Sequence, residues 1–113
     1  MLLILLLFFT GCLTNPFAEN LTGNWMITET KDAAVINQYS INIIQIGETI
    51  RFLKDQREIG HGTLFNDTIT VTAKQGTIWG GKGIFIISIT DADNMESDCV
   101  PCEESMSFHR LIK

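Results

Sequence analysis

The chain has 113 residues, with 8 Lys and Arg against 13 Asp and Glu, a formal net charge of −5. That balance argues against nucleic acid, where clustered Lys and Arg must neutralise phosphates, and no basic patch offers itself to anionic lipid headgroups. The length supports one small domain and is too short for two. The acid is unevenly placed: Asp91, Asp93, Glu96, Asp98, Glu103 and Glu104 fall within 14 residues, and neither Lys nor Arg occurs between Lys82 and Arg110. A charge run of this kind reads as a solvated loop.

Residues 2–9, "LLILLLFF", form an unbroken apolar run that Thr10-Gly11-Cys12 follows at once. A membrane-spanning helix needs about 20 apolar residues, so this run is too short to cross. It has the length of the apolar region of an export signal, for which roughly 7–15 residues suffice before a small residue marks the cleavage point. Gly11 is that small residue. Because a cysteine comes next, "FFTGC" resembles the lipobox of bacterial lipoproteins. The resemblance implies a signal peptide over residues 1–11, a diacylglycerol on the sulfur of Cys12, and acylation of the amine that cleavage frees. One myristoyl-length chain binds a membrane only marginally, whereas two or more hold firmly. An acylated Cys12 is therefore expected to tether the chain. Leu13 in place of Asp implies, by the habit of that family, the outer membrane, with the domain facing the periplasm. Residues 12–20, "CLTNPFAEN", then read as the tether and residues 21–113 as the folded domain.

From Gly23 onward the apolar spacing is mostly two, with many β-branched residues. "NWMITET" alternates Trp25 and Ile27 with polar neighbours, "YSINIIQI" alternates Tyr39, Ile41 and Ile43, and "ETIRFLK" alternates Ile50 and Phe52. "DTITVTA" places Ile69, Val71 and Ala73 on one face and threonines on the other. These are half-buried strands. "IFIISIT" (residues 84–90) and "SMSFHRLI" (residues 105–112) complete the set, and Gly47-Glu48 and Asn66-Asp67 suit tight hairpin turns between runs. "TKDAAVINQ" (residues 30–38) reads as a helical turn or a loop. The expected fold is all-β, with seven or eight short antiparallel strands in a meander, closed into a barrel because closure removes exposed edges.

"LTGNW" (residues 21–25) resembles the Gly-x-Trp opening of lipocalins and of lipocalin-like bacterial lipoproteins. The resemblance implies that Trp25 plugs one barrel end while Arg110, on the last strand, packs across its face. Gly23, Trp25 and Arg110 are then the residues of barrel closure, and a guanidinium over an indole is worth about 0.5–2 kcal/mol. An eight-stranded barrel is just wide enough to be filled by side chains or to hold one small ligand. The inward candidates are large: Trp25, Ile27, Ile41, Ile43, Ile50, Phe52, Ile69, Val71, Phe85, Ile87, Ile89 and Phe108. Ile84 and Ile86 fall on the opposite face of their strand, either covered by the N-terminal tail or forming an exposed contact patch.

Other segments invite chemistry without sustaining it. "GTIWGGKG" (residues 76–83) matches G-x-x-x-x-G-K, but Gly83 stands where Ser or Thr should meet magnesium, and a strand follows where a helix is needed. Its glycines read as a flexible turn. In "DADNMESD", Asp91 and Asp93 suit the first and third positions of a calcium loop, yet Met95, Glu96 and Cys102 fall where that loop needs an oxygen ligand, a glycine and a bidentate glutamate. His61 and His109 are the two imidazoles, and neither lies in a nucleophile motif. The chain is read as no enzyme, with no catalytic residue and no cofactor.

Cys99 and Cys102 are three positions apart, and in an oxidising periplasm such a pair forms a disulfide. Acylation of Cys12 then accounts for the odd cysteine. A redox site would need the pair beside a βαβ pattern at a helix N-terminus, and haem attachment would need His where Glu103 stands. The rival is a metal: Met95, Cys99, Cys102, Met106 and His109 are donors of the kind that suits copper(I) or zinc. A copper-resistance and surface-sensing lipoprotein family also joins a lipocalin-like barrel to a CxxC, although near its N-terminus. Strand parity sets Met106 beside Phe108 and turns His109 to the other face. The functional expectation is a lipid-anchored envelope binding module, a lipocalin-like binder of a small apolar ligand. The alternatives are a filled barrel acting through its surface on an envelope protein such as a hydrolase, and copper or zinc binding at the CxxC.

Overall fold

Side chains that alternate between apolar and polar can satisfy a core and water at once only as strands. The computed structural model, which describes residues 20–99 and 104–111, closes eight of them into one barrel. They are β1 (Gly23–Lys31), β2 (Ala34–Ile46), β3 (Thr49–Lys54), β4 (Arg57–Phe65), β5 (Thr68–Ala73), β6 (Ile84–Asp91), β7 (Asn94–Cys99) and β8 (Glu104–Arg110). Each strand pairs antiparallel with the next, and β8 returns to pair with β1 from Trp25↔Arg110 to Lys31↔Glu104. The described residues contain no helix. The all-β meander barrel expected from periodicity is the fold.

Three stretches differ from their reading in the sequence. Residues 30–38 are neither a helical turn nor a loop: β1 runs on to Lys31, and β2 starts at Ala34 after a two-residue turn. Asp32 and Ala33 both adopt positive φ, 54° and 66°, as do Asp55 and Gln56 at the β3–β4 turn. This is the geometry that matches strand twist in two-residue hairpins, reached here without glycine, so the usual turn signal is missing. Much of the acidic segment is also strand. Ala92 and Asp93 make the turn, and β7 follows with Met95 and Ser97 buried. The third is β4, which Gly60 and Gly62 hide from any propensity argument.

Those two glycines are there for room. A Cβ on Gly62 would lie 2.5 Å from the Thr70 carbonyl oxygen and 2.9 Å from Ile69 Cγ2. A Cβ on Gly60 would come within 3.1 Å of the Trp79 ring. Beside Gly60, a bulge shifts the register so that Phe52 faces Gly60 while Leu53 faces Glu58. The extra residue of the bulge is Ile59, buried like Gly60, and the local change of direction that bulges impose carries it toward the β5–β6 loop.

All twelve inward candidates are buried, joined by Leu21, Ile59, Ala73, Trp79, Met95 and Met106. Gly62→Ala should lower stability by about 1–3 kcal/mol through overpacking of this interior. A urea titration should show a lower midpoint at an unchanged slope.

Candidate functional site

The barrel has two ends of different chemistry. At the first, the Trp25 indole is fully buried, and its Nε1–H donates to the Leu21 carbonyl at 2.9 Å. Arg110 lies over it, with the guanidinium carbon 4.6 Å from the ring centroid. The same guanidinium donates to the Ala92 carbonyl at 3.0 Å, the Thr22 carbonyl at 3.3 Å and the Asn20 carbonyl at 3.2 Å, and it meets Asp93 Oδ1 at 3.2 Å. One side chain thus fastens the incoming chain and the β6–β7 turn to the end of the last strand. Gly23 stands beside it: a Cβ there would lie 3.4 Å from Arg110 Nη1.

The opposite end is closed by the β5–β6 loop. Its backbone folds on itself through Gly80 N–H to Thr77 O and Lys82 N–H to Trp79 O, and it is pinned to β4 where Lys74 N–H meets Ile59 O. This brings the Trp79 indole into the barrel with no exposure to solvent. Its ring packs against Phe52 at 5.2 Å, Phe85 at 5.3 Å and Phe108 at 6.3 Å between centroids, the last two edge to face. Such pairs add about 0.5–1.5 kcal/mol each beyond their burial. These four rings occupy the barrel interior at this end.

A chain of polar groups lies against this plug. Trp79 Nε1–H donates to the Tyr39 hydroxyl at 2.7 Å, and that hydroxyl donates to Glu29 Oε2 at 2.6 Å. Lys82 Nζ lies 3.5 Å from Glu29 and 3.4 Å from Glu104. Glu29 is only 6 % exposed, and burying a carboxylate is costly unless it is paired and hydrogen-bonded. Beside Lys82 and Glu104, with Phe85, Ser97 and Met106, is a cavity of about 10 Å³, no more than one water's worth of space. Burial, followed by the Glu29 carboxylate, drives the Tyr39 phenol far above the ordinary tyrosine range.

Two outer surfaces complete the picture. On the wall, Ile84 and Ile86 of β6 are 72 % and 51 % exposed, and they pair across the sheet with Thr72 and Thr70 of β5. At the Trp79 end, a groove of about 460 Å³ runs between the β3–β4 turn and the β5–β6 loop, lined by Lys54, Asp55, Arg57, Ile59, Thr77 and Ile78.

Of the residues singled out for metal chemistry, Met95, Met106 and His109 do not share a face. Met95 and Met106 point into the core, while His109 lies on the outer face with Nδ1 2.9 Å from Asn94 Oδ1. Cys99 ends β7, its backbone paired with Glu104, and Cys102 and Cys12 lie outside the described residues. Among the described residues, no three His, Cys, Asp or Glu converge on one point. Asp91 is occupied locally: the backbone N–H of Asp93 and the side chain of Asn94 both donate to it and hold its carboxyl below the usual range. His61 stands on the outer face of β4, 3.4 Å from Glu58. Trp79, Tyr39, Glu29 and Lys82 were not foreseen as a group. Glu29 shares the strand parity of Trp25 and Ile27, a signal that marks it as inward despite its charge. No protein-family model, no curated protein and no solved structure matches the chain.

Two predictions follow from the polar chain. The folded-state pKa of Tyr39 is raised, so its contribution to stability is complete below the unfolded value near pH 10 and is lost as pH rises through the folded value. Tyr39 is the sole tyrosine, so the tyrosinate absorption band should stay silent above pH 10 and emerge together with loss of strand circular dichroism. Lys82→Met leaves Glu29 buried without its cation and should cost about 3 kcal/mol, while Glu29→Gln in the same chain should recover part of that loss in thermal melts.

Proposed function

We propose that the protein is a lipid-anchored binding module of the bacterial cell envelope that works through the outside of a filled barrel. The observation that carries this reading is the Trp79 indole, fully buried among Phe52, Phe85 and Phe108 where a lipocalin-like ligand would sit. With the interior occupied, recognition falls to the surface, and Ile84 and Ile86 form an apolar strip on a threonine-rich wall. Contiguous exposed apolar residues of this sort mark contact with other proteins. The lipobox-like "FFTGC" supports acylation at Cys12, and the chain reaches the barrel at the Trp25 end, which would turn the Trp79 end away from an outer-membrane anchor and into the periplasm. In that compartment Cys99 and Cys102, three positions apart in the sequence, would pair as a disulfide.

A photo-crosslinker at position 86 of the membrane-bound protein in cells should give one discrete protein adduct, lost when Ile84 is replaced by Lys. Absence of any adduct, or an adduct indifferent to Ile84→Lys, contradicts the reading. A second reading, a small apolar ligand inside the barrel, is favoured by one fact: Trp79 arrives on a loop rather than on a strand, so the plug and the wall are separable. One organic molecule per chain released on denaturing the purified protein would select that reading instead.

A further inference from the structure

The groove at the Trp79 end is chemically distinct from the apolar strip of the wall, and it carries an inference that goes beyond the surface reading. We infer that it binds a small organic monocarboxylate with an apolar body, held by Arg57 with its apolar part against Ile59 and Ile78.

Size sets the class first. A groove of about 460 Å³ lies within the roughly 300–1,000 Å³ of small-molecule sites. Its lining then sets the polarity. Ile59 closes the floor as the extra residue of the β3–β4 bulge, and Ile78, 42 % exposed, stands on the loop that forms the other wall. The hydroxyl of Thr77 is turned to backbone, donating to the Lys74 carbonyl at 2.6 Å, so the loop wall presents mainly carbon.

Charge sets the valence. Lys54 and Arg57 face the groove with Asp55 between them. Lys54 Nζ lies 3.2 Å from Asp55 Oδ2 and 5.9 Å from the Tyr39 ring centroid, so its charge is already engaged on both sides. Glu58, next to Arg57 in the chain, is taken by Arg51 at 2.8 Å, and that hydrogen bond holds its carboxyl below the usual range. Arg57 has no carboxylate within ion-pair distance among the described residues. The rim therefore offers one uncompensated cation in a chain of net charge −5, which suits a monoanion better than a phosphate dianion. A guanidinium fork also matches a carboxylate in two parallel hydrogen bonds. Arg57 is the first residue of β4, directly after the two-residue hairpin turn at Asp55 and Gln56.

The test is a titration of the full protein in nanodiscs with octanoate, followed by NMR of isoleucine methyl groups, with octanamide as the uncharged probe and octyl phosphate as the dianion. Octanoate should shift the Ile59 and Ile78 methyls saturably, at least tenfold more tightly than octanamide and more tightly than octyl phosphate. Arg57→Gln should weaken octanoate at least tenfold and leave octanamide unchanged, with the ring-shifted methyls around Trp79 reporting an intact fold. Ile78→Asp should weaken all three probes. Shifts that never saturate, equal response to octanoate and octanamide, tighter binding of octyl phosphate, or indifference to Arg57→Gln would each overturn the assignment.

Discussion

An eight-stranded barrel encloses a space that must be filled by something, and here the chain fills it with its own indole. Trp79 is delivered by a ten-residue loop, residues 74–83, whose backbone is pinned to β4. Much else depends on that insertion. Gly60 exists as glycine because the Trp79 ring passes at 3.1 Å from where a Cβ would stand. The aromatic residues of β3, β6 and β8 turn their rings to it. The bulge that buries Ile59 lies on the same part of β4, and so the floor of the outer groove and the plug of the interior share one backbone irregularity.

The plug also explains a buried charge. An indole N–H taken out of water needs an acceptor, and the Tyr39 hydroxyl supplies it; the hydroxyl proton in turn needs an acceptor, and Glu29 supplies that. Lys82 compensates the resulting buried carboxylate from the same loop that carries Trp79. Loop, tyrosine and glutamate therefore specify one another, with Lys82 and Trp79 only three positions apart in the chain. Such a fully partnered network fixes a single arrangement of the loop at little net gain in stability, since desolvation offsets most of the ion-pair attraction.

How much of this was legible in the sequence depends on range. Period-two patterning in "NWMITET" and "DTITVTA" placed the inner faces correctly because burial acts on every second residue of a strand. The Gly-x-Trp opening and Arg110 were legible through a family resemblance, which implied a guanidinium stacked on an indole at one barrel end. The hairpins at Asp32-Ala33 and Asp55-Gln56 were not, since their backbone is held at positive φ by strand pairing rather than by glycine. β4 was hidden by glycines whose purpose is set by residues far away in sequence. "GTIWGGKG" read as a flexible turn, and nothing local in it tells that Trp79 points inward. The groove was equally invisible, because its two walls are separated by some twenty positions and meet only through the bulge at Ile59.

The closure of the sheet has a consequence for the integrity of the chain. β1 is bound on both sides, by β2 and by β8, and β8 closes the ring with only seven residues. A proteolytic cut or premature stop before Glu104 would not simply shorten the domain. It would unzip two ladders together, leave β1 and β7 as raw edges open to pairing with other chains, and release Arg110 from Trp25 and from the carbonyls of Asn20 and Thr22. The molecule is in this sense a ring whose clasp is its final strand.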